Sequence, residues 1–388
     1  MRNALNSEFR IPNSELVRVL LVSEGSGGHL IPAFEVATAL AARQAGVLLV
    51  YADRPQTAPL MQELMQEADR HRIQLCPVPV SRPPAWWPSP LWRCAQAARV
   101  WRIVRQRLHG FRPDVVAGFG GWFCVPAILA ARAQRLPVLV HEQNVRLGRA
   151  NRFLRHHVDQ IALSFNTTCR ELNGTPRVVT GLPIRQQIGT ATREEAAHQF
   201  GVDPQAPTLV VVGGSQGARA INQLVCQTVE GLTEEERASW QVIHLTGPAD
   251  HAAIRQRYVA LGMTALVMPH AAQMAAVYAM ADVVIARAGA STIAELAQCG
   301  TPAVLIPYPY ANGHQRDNAR LVESVSGAVC LDEAVATPAQ LRRSVRWILR
   351  DARVRQRMAS QIHTLARPDA TQRLVDAIVT LATPPTPC

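Results

Sequence analysis

A glycine-rich turn that carries a histidine is the first stretch of this sequence able to do chemistry. Gly25-Ser26-Gly27-Gly28-His29 follows the apolar run VRVLLV and precedes apolar residues at helical spacing. Glycines at a helix start leave backbone N–H groups bare, so the turn suits an anion or a diphosphate-bearing ligand. Imidazole titrates near neutrality, so His29 is a candidate base. The alternatives are a tight turn without a ligand and a histidine that only satisfies the helix start.

Three more polar or glycine-rich clusters follow apolar runs in the same way. They are Phe119-Gly120-Gly121-Trp122, His141-Glu142-Gln143-Asn144 and Gly213-Gly214-Ser215-Gln216-Gly217-Ala218-Arg219. A solvated loop is the better explanation of each of them when it is taken alone. Parallel sheets bind ligands at the carboxyl ends of their strands, so clusters at several strand ends predict one shared site.

The densest cluster lies within residues 281–318. A strand ends at Arg287-Ala288-Gly289, a helix begins at Ala290 and carries Glu295, and the next strand leads into a loop with Gln315. A helix N-terminus favours a diphosphate, and a carboxylate accepts hydrogen bonds from the hydroxyls of a ribose or sugar.

These clusters require two similar domains to position them. The strand, glycine turn and helix of the first unit recur roughly 190 residues further along the chain. Short Val/Ile/Leu runs alternate with helical patterns around both units, as in parallel sheets buried on both faces. The predicted fold class is α/β, with two Rossmann-like, doubly wound parallel-sheet domains facing a cleft. We expect a flexible leader at 1–16, a first domain at 17–181, a second domain at 182–375 whose last helix can pack back on the first, and a tail at 376–388.

Composition excludes several function classes. The chain has 388 residues, 48% of them hydrophobic, and a formal net charge of +11. All 40 basic residues are arginines, which rules out Schiff-base and phosphate-binding lysines. The eight cysteines include no C-x-x-C pair, so neither structural zinc nor a disulfide framework is expected. The first glycine turn does not match G-x-G-x-x-G, which argues against NAD.

Five segments, in this order, carry a family resemblance: GSGGHLIPAFEVA, GFGGWFCVPAILAA, HEQNVRLGRANRFL, VVVGGSQGARAIN and MAAVYAMADVVIARAGASTIAELAQCGTPAVLIPYPYANGHQRDNA. They resemble the motifs of the N-acetylglucosaminyltransferases of peptidoglycan synthesis, the MurG family. The resemblance implies a GT-B glycosyltransferase fold and inverting transfer of N-acetylglucosamine from UDP-N-acetylglucosamine. The implied acceptor is the 4-hydroxyl of undecaprenyl-diphosphate-linked N-acetylmuramyl pentapeptide (lipid I), and the product is lipid II. No metal and no cofactor are implied.

The resemblance also implies roles for individual residues. His29 is the candidate general base, with a hydrogen bond to a phosphate or sugar oxygen as its alternative role. Glu24 stands where the family usually has glycine, and its carboxylate predicts weaker binding of the acceptor diphosphate unless it points away. The implied acceptor contacts are Gly25, His29, Gly120, Gly121 and Trp122. The implied donor contacts are Ser26, Gly27, Gly28, Asn144, Arg185, Ser215, Ala271, Ala290, Ser291, Thr292, Ile293, Ala294, Glu295 and Gln315.

A lipid-linked acceptor requires contact with a membrane surface. The chain has no apolar leader of signal-peptide length and no run of the ~20 apolar residues that cross a bilayer. A proline-rich loop followed by an arginine-rich helix suits the headgroups of anionic lipids. An apolar stripe within 94–108 is expected to face the core. We therefore expect a cytoplasmic protein, peripheral on the inner face of the bacterial plasma membrane. The membrane candidates are Trp86, Trp87, Leu91, Trp92 and Arg93.

Three alternatives remain beside this function. The first is another GT-B enzyme, either a glycosyltransferase that acts on a different lipid or small-molecule acceptor or a sugar-nucleotide epimerase of similar fold, because fold does not fix the acceptor. A homologue could bind the UDP-sugar without turnover. A nucleic-acid-binding protein is disfavoured, because the arginines are spread through the chain and no known nucleic-acid motif occurs.

Overall fold

The structure is a computed structural model that describes residues 17–80, 89–172, 174–214, 217–310 and 313–383. These residues form two parallel β-sheets with α-helices packed around them. The strands of the first sheet are β1 (Arg18–Ser23), β2 (Gly46–Asp53), β3 (Gln74–Pro79), β4 (Val115–Gly118), β5 (Val138–Glu142), β6 (Gln160–Leu163) and β7 (Arg177–Val179). The strands of the second sheet are β8 (Thr208–Val212), β9 (Gln241–Leu245), β10 (Ala265–Met268), β11 (Val283–Ala286), β12 (Ala303–Leu305) and β13 (Ala328–Cys330).

The helices connect successive strands and cover both faces of each sheet. Those that follow strands of the first sheet are α1 (Gly27–Ala42), α2 (Ala58–Arg70), α3 (Ser89–Phe111), α4 (Cys124–Ala133) and α5 (Arg149–Leu154). The helices that come after the last strand of the first sheet are α6 (Arg193–Phe200), α7 (Arg219–Glu230), α8 (Glu234–Ser239), α9 (His251–Ala260), α10 (Met274–Ala279), α11 (Ala290–Cys299), α12 (His314–Ser324), α13 (Pro338–Arg350), α14 (Ala352–His363) and α15 (Ala370–Ala382). Short 3-10 helices span Pro55–Thr57 and Asn166–Glu171.

Both sheets are doubly wound. The strand orders are β3-β2-β1-β4-β5-β6-β7 and β10-β9-β8-β11-β12-β13, so the winding direction reverses between β1 and β4 and between β8 and β11. The pairs at these reversals are parallel, with Val22 beside Gly118 and Val212 beside Ala286. The fold class predicted from the sequence is confirmed. Ligands of such sheets bind at the reversal, where the glycine-rich turns after β1, β4, β8 and β11 lie.

The last helix packs on the first sheet's domain. Leu374 and Ile378 of α15 are fully buried in the core that β1 and α1 build. The sequence placed the end of the second domain at residue 375, but α15 continues through this point to Ala382. The predicted tail at 376–388 is therefore corrected, because apolar residues at helical spacing hold residues 376–382 against α1.

Candidate active site

The turn after β1 is folded so tightly at Gly25 that only glycine fits at this position. β1 ends at Ser23, and Ser26 is the extended N-cap of α1, with φ −101° and ψ 149°. A Cβ atom on Gly25 would overlap the carbonyl oxygen of Ala52. The N–H groups of Gly27 and Gly28 have no acceptor inside the helix, whereas that of His29 donates to the carbonyl oxygen of Ser26 at 3.0 Å. The two glycine N–H groups are therefore free to bind an anion.

His29 lies half-buried in the first turn of α1 as a neutral imidazole. Burial is the main cause that lowers its pKa below the ordinary 6.5, and the Arg54 guanidinium acts in the same direction, against the charges of Glu24 and Glu142. The Ser26 hydroxyl oxygen lies 2.7 Å from Nδ1. When Nδ1–H donates to this oxygen, Nε2 keeps its lone pair and can accept a proton.

The turn after β4 lies against the same histidine. Gly120 and Gly121 adopt φ values of +76° and +78°, which a side chain would strain. A Cβ atom on Gly120 would lie 3.1 Å from His29 Nε2, so the free nitrogen faces this turn. Trp122 follows and exposes 59% of its surface. The structure thus brings together the residues predicted for the acceptor, which come from the turns after β1 and β4.

Glu142 at the end of β5 fixes the neighbouring Asn144. The buried carboxylate accepts the backbone N–H of Asn144 at 3.0 Å, that of Gly148 at 2.8 Å and the side-chain amide of Asn151 at 2.9 Å. These bonds close the loop after β5 around one acidic group. Glu142 is therefore a positioning residue for Asn144, which the sequence predicted as a donor contact.

His141 serves the fold. It is fully buried, and burial is the main cause that lowers its pKa to about 4. Its Nε2 lies 3.0 Å from the carbonyl oxygen of Gly181, in the connection between the two sheets. A histidine that remains neutral and bonded in this way holds the connection against β5.

Asn318 joins the two halves of the cleft, and sequence reasoning missed it. This fully buried side chain of α12 donates to Asn144 Oδ1 at 3.0 Å and to the carbonyl oxygen of Ala288 at 3.1 Å. Its Oδ1 accepts the backbone N–H of Val145 at 2.9 Å. The available signal was its position beside Ala319 on the otherwise apolar stripe of α12, because a buried amide requires partners.

The N-terminus of α11 faces the N-terminus of α1 across the cleft. A Cβ atom on Gly28 would lie 4.0 Å from the hydroxyl oxygen of Ser291. Within the described part of the chain this hydroxyl is buried without a hydrogen-bond partner. Gly289 is the extended N-cap, so the N–H groups of Ala290, Ser291 and Thr292 have no acceptor inside the helix.

Two predicted donor contacts pack against the core of the second sheet. Ile293 is fully buried in the core of the second sheet, and its N–H donates to the carbonyl oxygen of Gly289 at 3.0 Å. Ala294 has only a methyl side chain, which packs against the same core. Helical spacing places Ile293 on the buried stripe with Leu296, and the donor contacts of Ile293 and Ala294 stay a prediction.

Glu295 and Arg185 lie near each other between the two domains. The Tyr278 hydroxyl donates to Glu295 at 2.9 Å. Burial raises the pKa of Glu295 to about 7, against this hydrogen bond and the charge of Arg185. Arg185 forms an ion pair with Glu63 of α2 at 3.1 Å. It also opposes the effect of burial on Glu35 of α1, whose pKa is raised to about 7.

The remaining predicted donor residues are distributed around the second sheet. Ala271 lies in the loop after β10, partly buried against the core. Gln315 lies in the first turn of α12, where its side-chain oxygen accepts the backbone N–H of Tyr308 at 2.9 Å. Ser215 lies outside the described residues. The preceding Gly214 has a φ of +93°, as a tight turn requires.

Three of the residues predicted to contact the membrane belong to a helix. Leu91, Trp92 and Arg93 lie in the first turns of α3, which starts at Ser89. The assignment of Leu91 and Trp92 to a loop is therefore corrected, whereas Arg93 lies in a helix as predicted. Pro90 favours a helix here, because a proline in the first turn removes an N–H that has no acceptor anyway. Leu91 exposes 62% of its surface.

The rest of the predicted membrane segment divides between core and surface. Trp86 and Trp87 lie outside the described residues. Val104 and Leu108 of α3 are buried in the core, as the stripe predicted, but Cys94 is exposed because the stripe enters the core only further along the helix. None of the helices in the described ranges combines the length and apolar character that crossing a bilayer requires.

Known proteins resemble this chain over nearly its whole length. The N-terminal domain of glycosyltransferase family 28 matches residues 19–163, and the C-terminal domain of that family matches residues 208–374. A UDP-N-acetylglucosamine–N-acetylmuramyl-(pentapeptide) pyrophosphoryl-undecaprenol N-acetylglucosamine transferase of Acidothermus cellulolyticus is 36% identical, over 93% of this chain and 97% of its own. The enzyme of the same name from Desulforamulus reducens is 31% identical, over 93% and 98%.

A solved structure agrees with these relatives. The crystal structure of MurG from Acinetobacter baumannii superposes with a TM-score of 0.71 and 27% sequence identity, covering 94% of this chain and 99% of that one. The two domain matches lie on the two sheets that form the cleft. The resemblance read from the five sequence segments is confirmed. The chain belongs to glycosyltransferase family 28 and, within it, to the UDP-N-acetylglucosamine–N-acetylmuramyl-(pentapeptide) pyrophosphoryl-undecaprenol N-acetylglucosamine transferases, the MurG family.

Proposed function

We propose that the chain transfers N-acetylglucosamine from UDP-N-acetylglucosamine to lipid I, with inversion, and so forms lipid II for peptidoglycan synthesis. Its relatives are named for the same substrates. The observation that carries the proposal is the pair of opposed helix N-termini, with the Gly28 Cβ position 4.0 Å from the Ser291 hydroxyl. Donor and acceptor each contain a diphosphate, and a helix N-terminus is an anion site.

The donor is assigned to the second domain, residues 182–375, and the acceptor to the first, residues 17–181. The free N–H groups at the start of α11 bind the donor diphosphate, and Glu295 accepts hydrogen bonds from the ribose. The Ala271 backbone contacts the uracil. Supporting this assignment, the unpartnered Ser291 hydroxyl lies at the same helix start. The other donor contacts in the proposal are Ser26, Gly27, Gly28, Asn144, Ser215 and Gln315.

His29 is proposed as the general base. As the acceptor 4-hydroxyl attacks the anomeric carbon and UDP leaves from the opposite side, Nε2 takes the hydroxyl proton. A lowered pKa keeps the ring neutral at pH 7, which is the form that accepts a proton. Ser26 orients the ring through Nδ1 at 2.7 Å, and Nε2 faces Gly120 on the acceptor side.

The leaving UDP gains negative charge that must be stabilised. The N–H groups at the start of α11 are fixed dipoles that need no reorganisation, which makes them effective in the transition state. Arg185 supplies a cation once it exchanges Glu63, now 3.1 Å away, for the diphosphate. Both contributions come from this chain's own groups.

The membrane-facing part of the proposal places the start of α3 against the lipid on the inner face of the plasma membrane. Leu91 is 62% exposed, and Arg93 is exposed beside it. An exposed apolar residue next to a cation suits the interface of an anionic bilayer. Trp92, half-buried in the same turn, contributes an aromatic ring of the kind enriched at headgroup level.

The test is UDP release from UDP-N-acetylglucosamine, with and without a lipid I analogue, in EDTA. Acceptor-dependent release is expected. In Ser291→Ala the KM for the donor is expected to rise, whereas the exposed Ser360→Ala on α14 is a matched control with unchanged kinetics. Donor binding without release supports a homologue that lacks turnover or acts on another acceptor. A protein that does not bind the donor contradicts the proposal.

A further inference from the structure

Glu24 holds a carboxylate where the turns after β1 and β4 meet. Its Oε2 accepts the backbone N–H of Phe123, the N-cap of α4, at 3.2 Å. Its Oε1 forms an ion pair with Arg54, which follows β2. The Glu24 side chain is only 12% exposed. A helix N-terminus and a guanidinium thus bind this carboxylate as they would bind a free anion.

The neighbouring backbone leaves room for this carboxylate. A Cβ atom on Gly121 would overlap Oε2 of Glu24, and Gly121 adopts a φ of +78°. If the Glu24 side chain moved out, the space would be lined by the Phe123 N–H, the Arg54 guanidinium and bare glycine backbone. These groups suit another anion and nothing apolar.

The carboxylate shares its surroundings with the proposed base. Among the charges that raise the pKa of His29 against burial, Glu24 has the largest effect. Gly121 faces Glu24, and Gly120, the residue before it, faces His29 Nε2. An acceptor whose hydroxyl reaches Nε2 therefore brings its own charged groups close to Glu24.

We propose that Glu24 is a resident competitor of the acceptor diphosphate and thereby a specificity-determining residue. The acceptor binds by displacing the carboxylate from the Phe123 N–H and by taking over Arg54. Like charges a few ångströms apart repel, so both anions cannot use these donors at once. A diphosphate carries more charge and more acceptor oxygens than a carboxylate, so it displaces Glu24, whereas a singly charged acceptor does not. The inference rests on the proposed function, which supplies a diphosphate acceptor at these turns.

The test compares the wild type with Glu24→Gln, which removes the charge but keeps an oxygen for the Phe123 N–H. We expect the KM for a lipid I analogue to fall about tenfold, while the KM for UDP-N-acetylglucosamine is unchanged. Asp376→Asn is the matched control, because Asp376 makes an exposed ion pair with Arg43 at 2.6 Å, between α15 and α1. An acceptor KM that is unchanged or higher in Glu24→Gln overturns the inference.

A second measurement separates this inference from the proposed function. Calorimetric titration with inorganic pyrophosphate alone needs no turnover, and we expect about tenfold tighter binding to Glu24→Gln than to the wild type or Asp376→Asn. If no variant turns over but this difference appears, the function fails and the inference stands. If turnover occurs without the difference, the inference fails. Glu24→Gly undergoes the same measurements, so that misfolding of the glutamine variant does not decide the result.

Discussion

Replacing His29 with alanine is expected to lower kcat by about 10²–10⁴-fold, the usual contribution of a positioned general base. This corresponds to about 3–5 kcal/mol of transition-state stabilisation. The upper part of this range applies if Nε2 reaches the acceptor hydroxyl directly, as its free lone pair facing Gly120 indicates. KM values should change little, because the ring contributes mainly in the transition state.

The pH dependence of the same step follows from the lowered pKa of His29. A base works in its neutral form, so activity is lost as the pH falls through the pKa of the group. Because burial lowers this pKa below 6.5, kcat at saturating donor and acceptor should decline only as the pH falls below about 6.5. The negative charge of Glu24 raises the pKa of His29, so removing this charge should move the decline in activity to still lower pH.

The assay is continuous detection of released UDP with a lipid I analogue between pH 5 and 8. His198→Ala serves as the control, since His198 is exposed on α6, far along the chain from the cleft turns. His29→Ala should lose the acid limb together with the rate, and the control should keep both. Residual activity above a tenth of the wild type, or an acid limb that persists in His29→Ala, would refute the assignment of His29 as the base.

Three further predictions test the structure around the site. Asn318→Ala removes the amide that joins Asn144 to the second domain and leaves buried partners unpaired, so urea unfolding should show a loss of about 1–3 kcal/mol. Glu295→Gln should raise the KM for UDP-N-acetylglucosamine about tenfold and reduce the discrimination against a 2′-deoxyribose donor, because the oxygen that accepts the ribose hydrogen bond loses its charge. Glu236→Gln should destabilise the fold by about 3 kcal/mol at pH 7, since Arg346, bonded at 2.6 Å, holds the pKa of the Glu236 carboxyl at about 2. The stabilisation by the charged Glu236 is complete above pH 4.5, the pKa of this carboxyl in the unfolded chain, and is lost as the pH falls from there to about 2. The difference in stability between the two proteins should therefore vanish in that pH range.

Each of these three results has a clear contrary outcome. An Asn318→Ala protein as stable as the wild type would mean that the amide's partners find other hydrogen bonds. A Glu295→Gln enzyme that discriminates against the deoxyribose donor as strongly as the wild type would place the ribose elsewhere. A Glu236→Gln protein whose deficit persists at pH 2 would show that packing, not charge, stabilises this position.

The sequence predicted the central strands of both sheets and missed all four edge strands. β1 and β8 are buried on both faces and read as continuous apolar runs. The edge strands β3, β7, β10 and β13 are short or only partly buried, and β3 contains two prolines. Their strand conformation depends on pairing with the preceding strand and not on their own residues, so local pattern does not identify them.

The candidate site was predictable where it depends on strand ends and was missed where it depends on contacts between distant segments. The glycine turns and His29 follow strands directly, so their meeting at the reversal of the sheet follows from topology. Arg54 lies beyond β2, and its pairing with Glu24 requires the packing of β1 against β2. Asn318 reaches Asn144 only because the two domains close on each other. Local sequence patterns do not encode such pairings.

The cations of the cleft explain why its ligands should be diphosphates. Arg54 is paired with Glu24, and Arg185 with Glu63, so each guanidinium must exchange a carboxylate for a substrate group. Such an exchange is favourable only for a ligand that offers more charge or more oxygens than the carboxylate it replaces. Weak anions gain nothing from either arginine, whereas a diphosphate gains from both the guanidinium and the adjacent helix N-terminus. The selectivity of the cleft therefore arises from carboxylates that its own chain already holds in place. Neutralising Glu24 should broaden the range of anions that the acceptor side admits.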